Sequence, residues 1–115
     1  MKLLTASQHQ QLLDNGRLQA ERQGDFDPHP VVKLFTPDAA ATWLLSELDP
    51  DEPDIAFGLC DLGVGCPELG SVRLSELAAI RGRLGLPVER DRSFKAKAPL
   101  SHYAEAARKA GRLVT

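Results

Sequence analysis

The sequence is poor in the residues that usually carry chemistry. Among 115 residues there are two cysteines, three histidines, one tryptophan, one tyrosine and four phenylalanines. Cys60 and Cys66 form a C-x5-C spacing, not the C-x-x-C of redox or zinc motifs. His9, His29 and His102 are scattered and make no H-x3-H or H-E-x-x-H pattern, so the ligand set of a zinc site is missing. The thiols then read as one buried side chain and one incidental one, and no cofactor is expected. No apolar run approaches the roughly 20 residues needed to span a bilayer. The N-terminal "MKLLTASQHQQLLDNG" lacks the apolar core of a signal peptide. A cytoplasmic protein without membrane contact is therefore the expectation.

Phosphate-binding and nucleophile motifs are lacking as well. "CDLGVGCPELG" (60–70) gives G-x-G-x4-G through Gly63, Gly65 and Gly70, but a dinucleotide loop needs glycine where Glu68 stands, and a helix after it. There is no Gly-Lys-Ser/Thr and no G-x-S-x-G elbow. The glycines fit a turn between two strands, with positive φ or a bulge.

What is present suits one folded domain over residues 1–115: 43% hydrophobic and 26% charged residues. The charge is lopsided. Residues 1–80 hold five Lys/Arg and 13 Asp/Glu, net −8, whereas residues 81–115 hold nine Lys/Arg and three Asp/Glu, net +6. Either the two halves attract one another in the fold, or Arg81, Arg83, Arg92, Lys95, Lys97, Arg108 and Lys109 form a contact surface for a protein or nucleic acid. Few aromatics interleave with these cations, which disfavours base stacking.

Local patterns place the elements. Thr5 and Gln8 make a capping box, predicting a helix to about Asn15 with Gly16 as its stop. "VVKLFT" (31–36), residues 41–48 and "IAFGLC" (55–60) read as strands, with the acidic "DPDEPD" as the turn between the last two. A strand at 70–75, a short helix capped by Ser75, a strand at 88–94 and a C-terminal helix capped by Ser101 complete the chain. Tyr103, Ala106, Ala107 and Ala110 share one face of that last helix. The fold class is thus α+β, an antiparallel or mixed sheet of about five strands with a helix at each end of the chain and one short helix between strands. The expected core is Leu12, Val32, Leu34, Trp43, Leu45, Phe57, Leu59, Val72, Leu74, Leu77 and Phe94.

The carboxylates are the feature that leaves function open. Glu47, Asp61, Glu68, Glu89 and Asp91 all fall at predicted strand ends or turns. With Arg90 they make a salt-bridge network, or Asp61, Glu68, Glu89 and Asp91 converge on a divalent cation as the acid–base groups of a metal-dependent hydrolase or nuclease.

"VVKLFTP" (31–37), "ATWLLSELDP" (41–50), "IAFGLCDLG" (55–63), "PELGSVRLSEL" (67–77) and "GLPVERDRSF" (85–94) follow one another as in the bacterial domain of unknown function twenty-nine fifty-eight, which the chain resembles over nearly its whole length. The resemblance implies a small protein often carried by plasmids and other mobile elements, with no settled activity. The family's recurring positions map onto Trp43, Glu47, Asp61, Gly63, Glu68, Gly70, Glu76, Glu89, Arg90 and Asp91. Cys66 and Ser71 depart from the pattern, where an aromatic or bulky residue is expected, so Cys66 stands outside any shared chemistry. The favoured reading is a non-catalytic accessory or interaction module of a mobile element, with the basic C-terminal third as its contact surface.

Overall fold

The computed structural model describes residues 3–115. Helix α1 (Ala6–Glu21) starts on the capping box: the Gln8 amide donates to Thr5 Oγ1 at 3.1 Å and the Thr5 amide to Gln8 Oε1 at 3.0 Å. It does not stop at Asn15. Gly16 lies inside the helix, because α1 presses there on the backbone around Leu48. A Cβ on Gly16 would stand 1.8 Å from the Leu48 carbonyl oxygen, and Asn15 Nδ2 donates to the Ser46 carbonyl at 2.8 Å. Glycine marks a close approach at this position, not a helix end.

Five strands follow: β1 (Val32–Phe35), β2 (Thr42–Leu48), β3 (Ile55–Asp61), β4 (Glu68–Arg73) and β5 (Glu89–Arg90). Each pairs antiparallel with its neighbours in the order β4-β3-β2-β1-β5. The first four form a meander. The chain then passes through helix α2 (Leu74–Ala79) to the far edge and closes with helix α3 (Leu100–Ala110). The α+β expectation stands. Two boundaries differ from it. β4 begins at Glu68, directly after Pro67, and β5 is only two residues long, because Asp91 Oδ1 accepts the Ser93 amide at 2.9 Å and turns the chain.

Alternation along the strands builds two cores. Trp43, Leu45, Leu48 and Ala56 face α1 and α2 with Leu12, Leu77 and Val88, while Leu44 and Leu59 face α3 with Leu100, Tyr103 and Ala107. Of the expected core, Phe57, Val72, Leu74 and Phe94 are only half-buried. On α3, Tyr103 and Ala107 are buried as its apolar face requires, whereas Ala110 is exposed.

Ser75 and Ser101 are not N-caps. Each is the second helical residue, and a distant aspartate serves it. Asp54 accepts the Ser75 amide at 2.9 Å and the Ser75 hydroxyl at 2.7 Å, and its own carbonyl accepts the Leu74 amide at 2.8 Å. Asp27 likewise accepts the Ser101 amide at 3.1 Å and its hydroxyl, beside a Leu100 amide bond to the Pro28 carbonyl at 2.9 Å. Two loops thus supply the acceptors that helix N-termini lack, which ties α2 to the β2–β3 turn and α3 to the α1–β1 loop.

Candidate functional site

The sheet separates the carboxylates singled out by sequence. Asp61 and Glu68 stand on β3 and β4 near one edge, whereas Glu89 and Asp91 stand at and just beyond β5 on the other. Three strand steps from β3 to β5 amount to about 14 Å. Among the described residues no group of three or more His, Cys, Asp or Glu is placed to hold a metal ion. The four carboxylates therefore do not converge, and Glu47, Asp61, Glu68, Glu89, Arg90 and Asp91 do not form one network. Asp61, buried, accepts the Gly63 amide through Oδ1 and the Leu113 amide through Oδ2, both at 2.8 Å. Asp91 Oδ2 lies 3.7 Å from Lys33 Nζ. Arg90 Nη1 donates to the Leu3 carbonyl at 3.1 Å. Glu47 Oε1 accepts from Gln19 Nε2 at 2.9 Å.

The cations Arg81, Arg83, Arg92, Lys95, Lys97, Arg108 and Lys109 are all exposed, but they come from three separate segments. Arg81 turns back onto the carbonyls of Ala78 and Ile80, at 3.0 and 2.8 Å, at the end of α2. Arg108 and Lys109 both pair with Glu105 one turn earlier on α3.

At the end of the sheet holding Asp61, three loops meet. The β3–β4 turn lies against the β1–β2 turn so tightly that a Cβ on Gly63, whose φ is 80°, would stand 2.5 Å from Ala40 Cβ. From the same β1–β2 turn, Asp38 Oδ2 accepts the amides of Leu84 and Leu86 at 2.7 and 3.3 Å, with Gly82 directly against Oδ1. The C-terminal tail joins through Leu113. This close backbone packing leaves large side chains outside: Leu62 is 61% exposed, Val64 75%, Leu84 80%, Leu86 42% and Val114 40%. Sequence reasoning missed these residues. Their signal was apolar side chains set between glycines, at Gly63-Val64-Gly65 and Gly82-Arg83-Leu84-Gly85, where the chain turns too sharply to bury them.

The opposite end, holding Asp49, carries a cavity of about 530 Å³ between the second half of α1, the β2–β3 turn and the sheet. Its floor is a cross-strand row of Glu47, Phe57 and Ser71 on β2, β3 and β4. Gln19 and Ala20 of α1 form one wall, and Asp49 and Asp51 lie on the other side. Nearby, Arg73 Nη1 binds Glu52 at 2.9 Å and lies 3.7 Å from Asp54. Asp54 is held below the usual carboxylate range by the Ser75 hydroxyl and amide, with Arg73 assisting. Burial pushes the Cys60 thiol up, while Cys66 is an exposed free thiol.

A stretch of 70 residues is 43% identical to part of the 2-succinyl-5-enolpyruvyl-6-hydroxy-3-cyclohexene-1-carboxylate synthase of Yersinia enterocolitica. The match takes in 56% of this chain but only 12% of that protein. So small a piece carries no activity over by name. No solved structure matches the chain. The whole chain, from residue 3 to residue 114, matches the family described as "Protein of unknown function (DUF2958)", and the chain belongs to that family.

Proposed function

We propose that the chain is a non-catalytic binding module, an accessory protein of a mobile element working in the cytoplasm, and that it docks onto a protein partner through the Asp61 end of its sheet. The observation that carries this reading is the group of exposed apolar side chains at that end, Leu62, Val64, Leu84, Leu86 and Val114. Monomeric surfaces scatter single apolar residues, whereas apolar side chains gathered beside cations suit a protein interface. Arg83 precedes Leu84 in the chain and Arg112 lies two residues before Val114, while Asp38 and Asp61 are turned onto backbone amides. The surface therefore favours an acidic partner with apolar anchors. Nucleic acid fits less well, since Trp43 and Tyr103 are buried and cannot stack on bases. The free thiols suit a reducing compartment, and the mobile-element setting rests on the family resemblance.

The test compares the full chain with its Leu84→Ser/Leu86→Ser variant as baits. The expected result is a protein retained by the first and lost by the second, at equal thermal stability. Equal capture by both baits would remove the support for this surface. A steep fall of DNA binding with salt would favour nucleic acid instead.

A further inference from the structure

We infer that the cavity at the Asp49 end is a binding site for an organic cation, an ammonium group carried on an apolar body. This site is separate from the docking surface proposed above and does not depend on it. Its volume of about 530 Å³ lies in the range of small-molecule sites. The lining divides by chemistry. Phe57, Ile55, Ala20 and Pro50 give an apolar floor and wall, and Glu47, Asp49 and Asp51 supply carboxylates. No Lys, Arg or His is among the described residues that line it. Cations on the surrounding elements are already engaged: Arg73 of β4 by Glu52 and Asp54, Arg17 of α1 by Asp14, and Arg22 at the end of α1 over the Phe26 ring at 5.4 Å. An anion entering would meet three like charges on a low-dielectric surface, whereas a cation meets its complement and an aromatic ring.

A second observation comes from Gln19. Its Nε2 is fixed by two acceptors, the Phe26 carbonyl at 2.7 Å and Glu47 Oε1 at 2.9 Å, so the amide cannot turn over without losing both bonds. Its Oε1 is then left buried beside the cavity, without a donor among the described residues. A buried acceptor lacking a donor is costly, and folded proteins keep few of them. The wall is also held in an unusual shape. Gln23 and Gly24, both lining the cavity, follow α1 with φ of 53° and 88°. A non-glycine residue in that region is strained, and such strain is commonly retained at binding sites.

The cation has two sources, a free amine or a lysine side chain of a peptide, and the experiment separates them. Tryptamine, its uncharged analogue tryptophol, indole-3-acetate and acetyl-tryptophanyl-lysinamide are titrated into the isotope-labelled full chain to about 10 mM, a range that detects millimolar affinity. The expected result is saturable shifts of the Gln19, Phe57 and Ser71 amides with tryptamine or with the dipeptide. Tryptophol should bind about tenfold more weakly, and indole-3-acetate should not bind. A response to the dipeptide alone assigns the cation to a peptide. Glu47→Gln with Asp51→Asn should weaken binding about tenfold. Ser71→Leu, on an exposed position of the edge strand, should abolish it by filling the floor. Leu84→Ser/Leu86→Ser should leave it unchanged. No saturable shift with either cation, equal binding of tryptophol, or shifts confined to other residues would overturn the proposal.

Discussion

Both ends of the sheet are built from turns rich in aspartate, yet they present opposite surfaces. At the Asp61 end, Asp38 and Asp61 accept backbone amides from neighbouring loops, and what remains outside is leucine, valine and arginine. At the Asp49 end, Asp54 and Asp27 also serve backbone amides and Ser hydroxyls, and Asp49 Oδ1 accepts the Asp51 and Glu52 amides, yet Glu47, Asp49 and Asp51 still line an open cavity. The sign of each surface is therefore set less by how many carboxylates its loops contain than by which of them still face outward once the loops are held together. Net charge along the chain, −8 before residue 81 and +6 after it, gives only part of this. Asp38 and Asp61 belong to the acidic part and yet lie under the cationic, apolar end.

The largest way to break the contrast is Gly16→Ala. The added methyl would stand 1.8 Å from the Leu48 carbonyl oxygen, which is backbone and cannot swing aside. Either α1 lifts off β2 or the helix breaks, at a cost of about 3 kcal/mol or more. A large fall in the denaturant midpoint is expected, together with loss of the cavity wall formed by Gln19 and Ala20. Unchanged stability would mean that α1 does not sit where the Asn15–Ser46 bond places it.

Asp61→Ala should act on the other end alone. It removes one buried carboxylate and leaves the Gly63 and Leu113 amides without their acceptor, a loss of about 2 kcal/mol. Hydrogen exchange should accelerate at Gly63 and Leu113 and stay unchanged at Gln19 and Phe57. Equal acceleration at both ends would show that the two ends open as one unit and that the contrast between them is not mechanical.

Much of this architecture was legible in the sequence, and the boundaries show where legibility stops. The capping box, the first three strands and the Tyr103–Ala107 part of the α3 face are local patterns, and each was found where local physics put it. Gly16 reads as a helix stop because its neighbours in sequence say nothing of Leu48, 32 positions on. Ser75 and Ser101 read as caps because Ser is a common cap, yet the acceptors come from Asp54 and Asp27 across loops. The carboxylates were visible as a set, but whether they meet depends on strand order. β5 crosses to pair with β1 instead of continuing beside β4, and this sends Glu89 and Asp91 away from Asp61 and Glu68. The cavity residues Gln19 and Phe57 gave no signal at all, since Gln19 lies beyond the helix predicted to end at about Asn15 and Phe57 reads as core.

The smallest effect sharpens the comparison by pH. Asp54 is held below its ordinary value of 3.8, first by the Ser75 hydroxyl and amide and then by Arg73. Its folded-state value is lowered, so its contribution is full above the ordinary carboxylate value and lost as pH falls through the folded value. The window is thus below about pH 4. Asp54→Asn should flatten the acid limb of the stability curve there, weaken the α2 start, and change little near neutrality in the slope against pH. Asp61 serves two amides at the other end, so the Asp54 variant isolates the ion-paired turn at the Asp49 end. An acid limb identical in wild type and Asp54→Asn would show that the β2–β3 turn is held by its backbone bonds, such as Asp49 N to the Ile55 carbonyl at 2.9 Å, and not by the carboxylate that reaches α2.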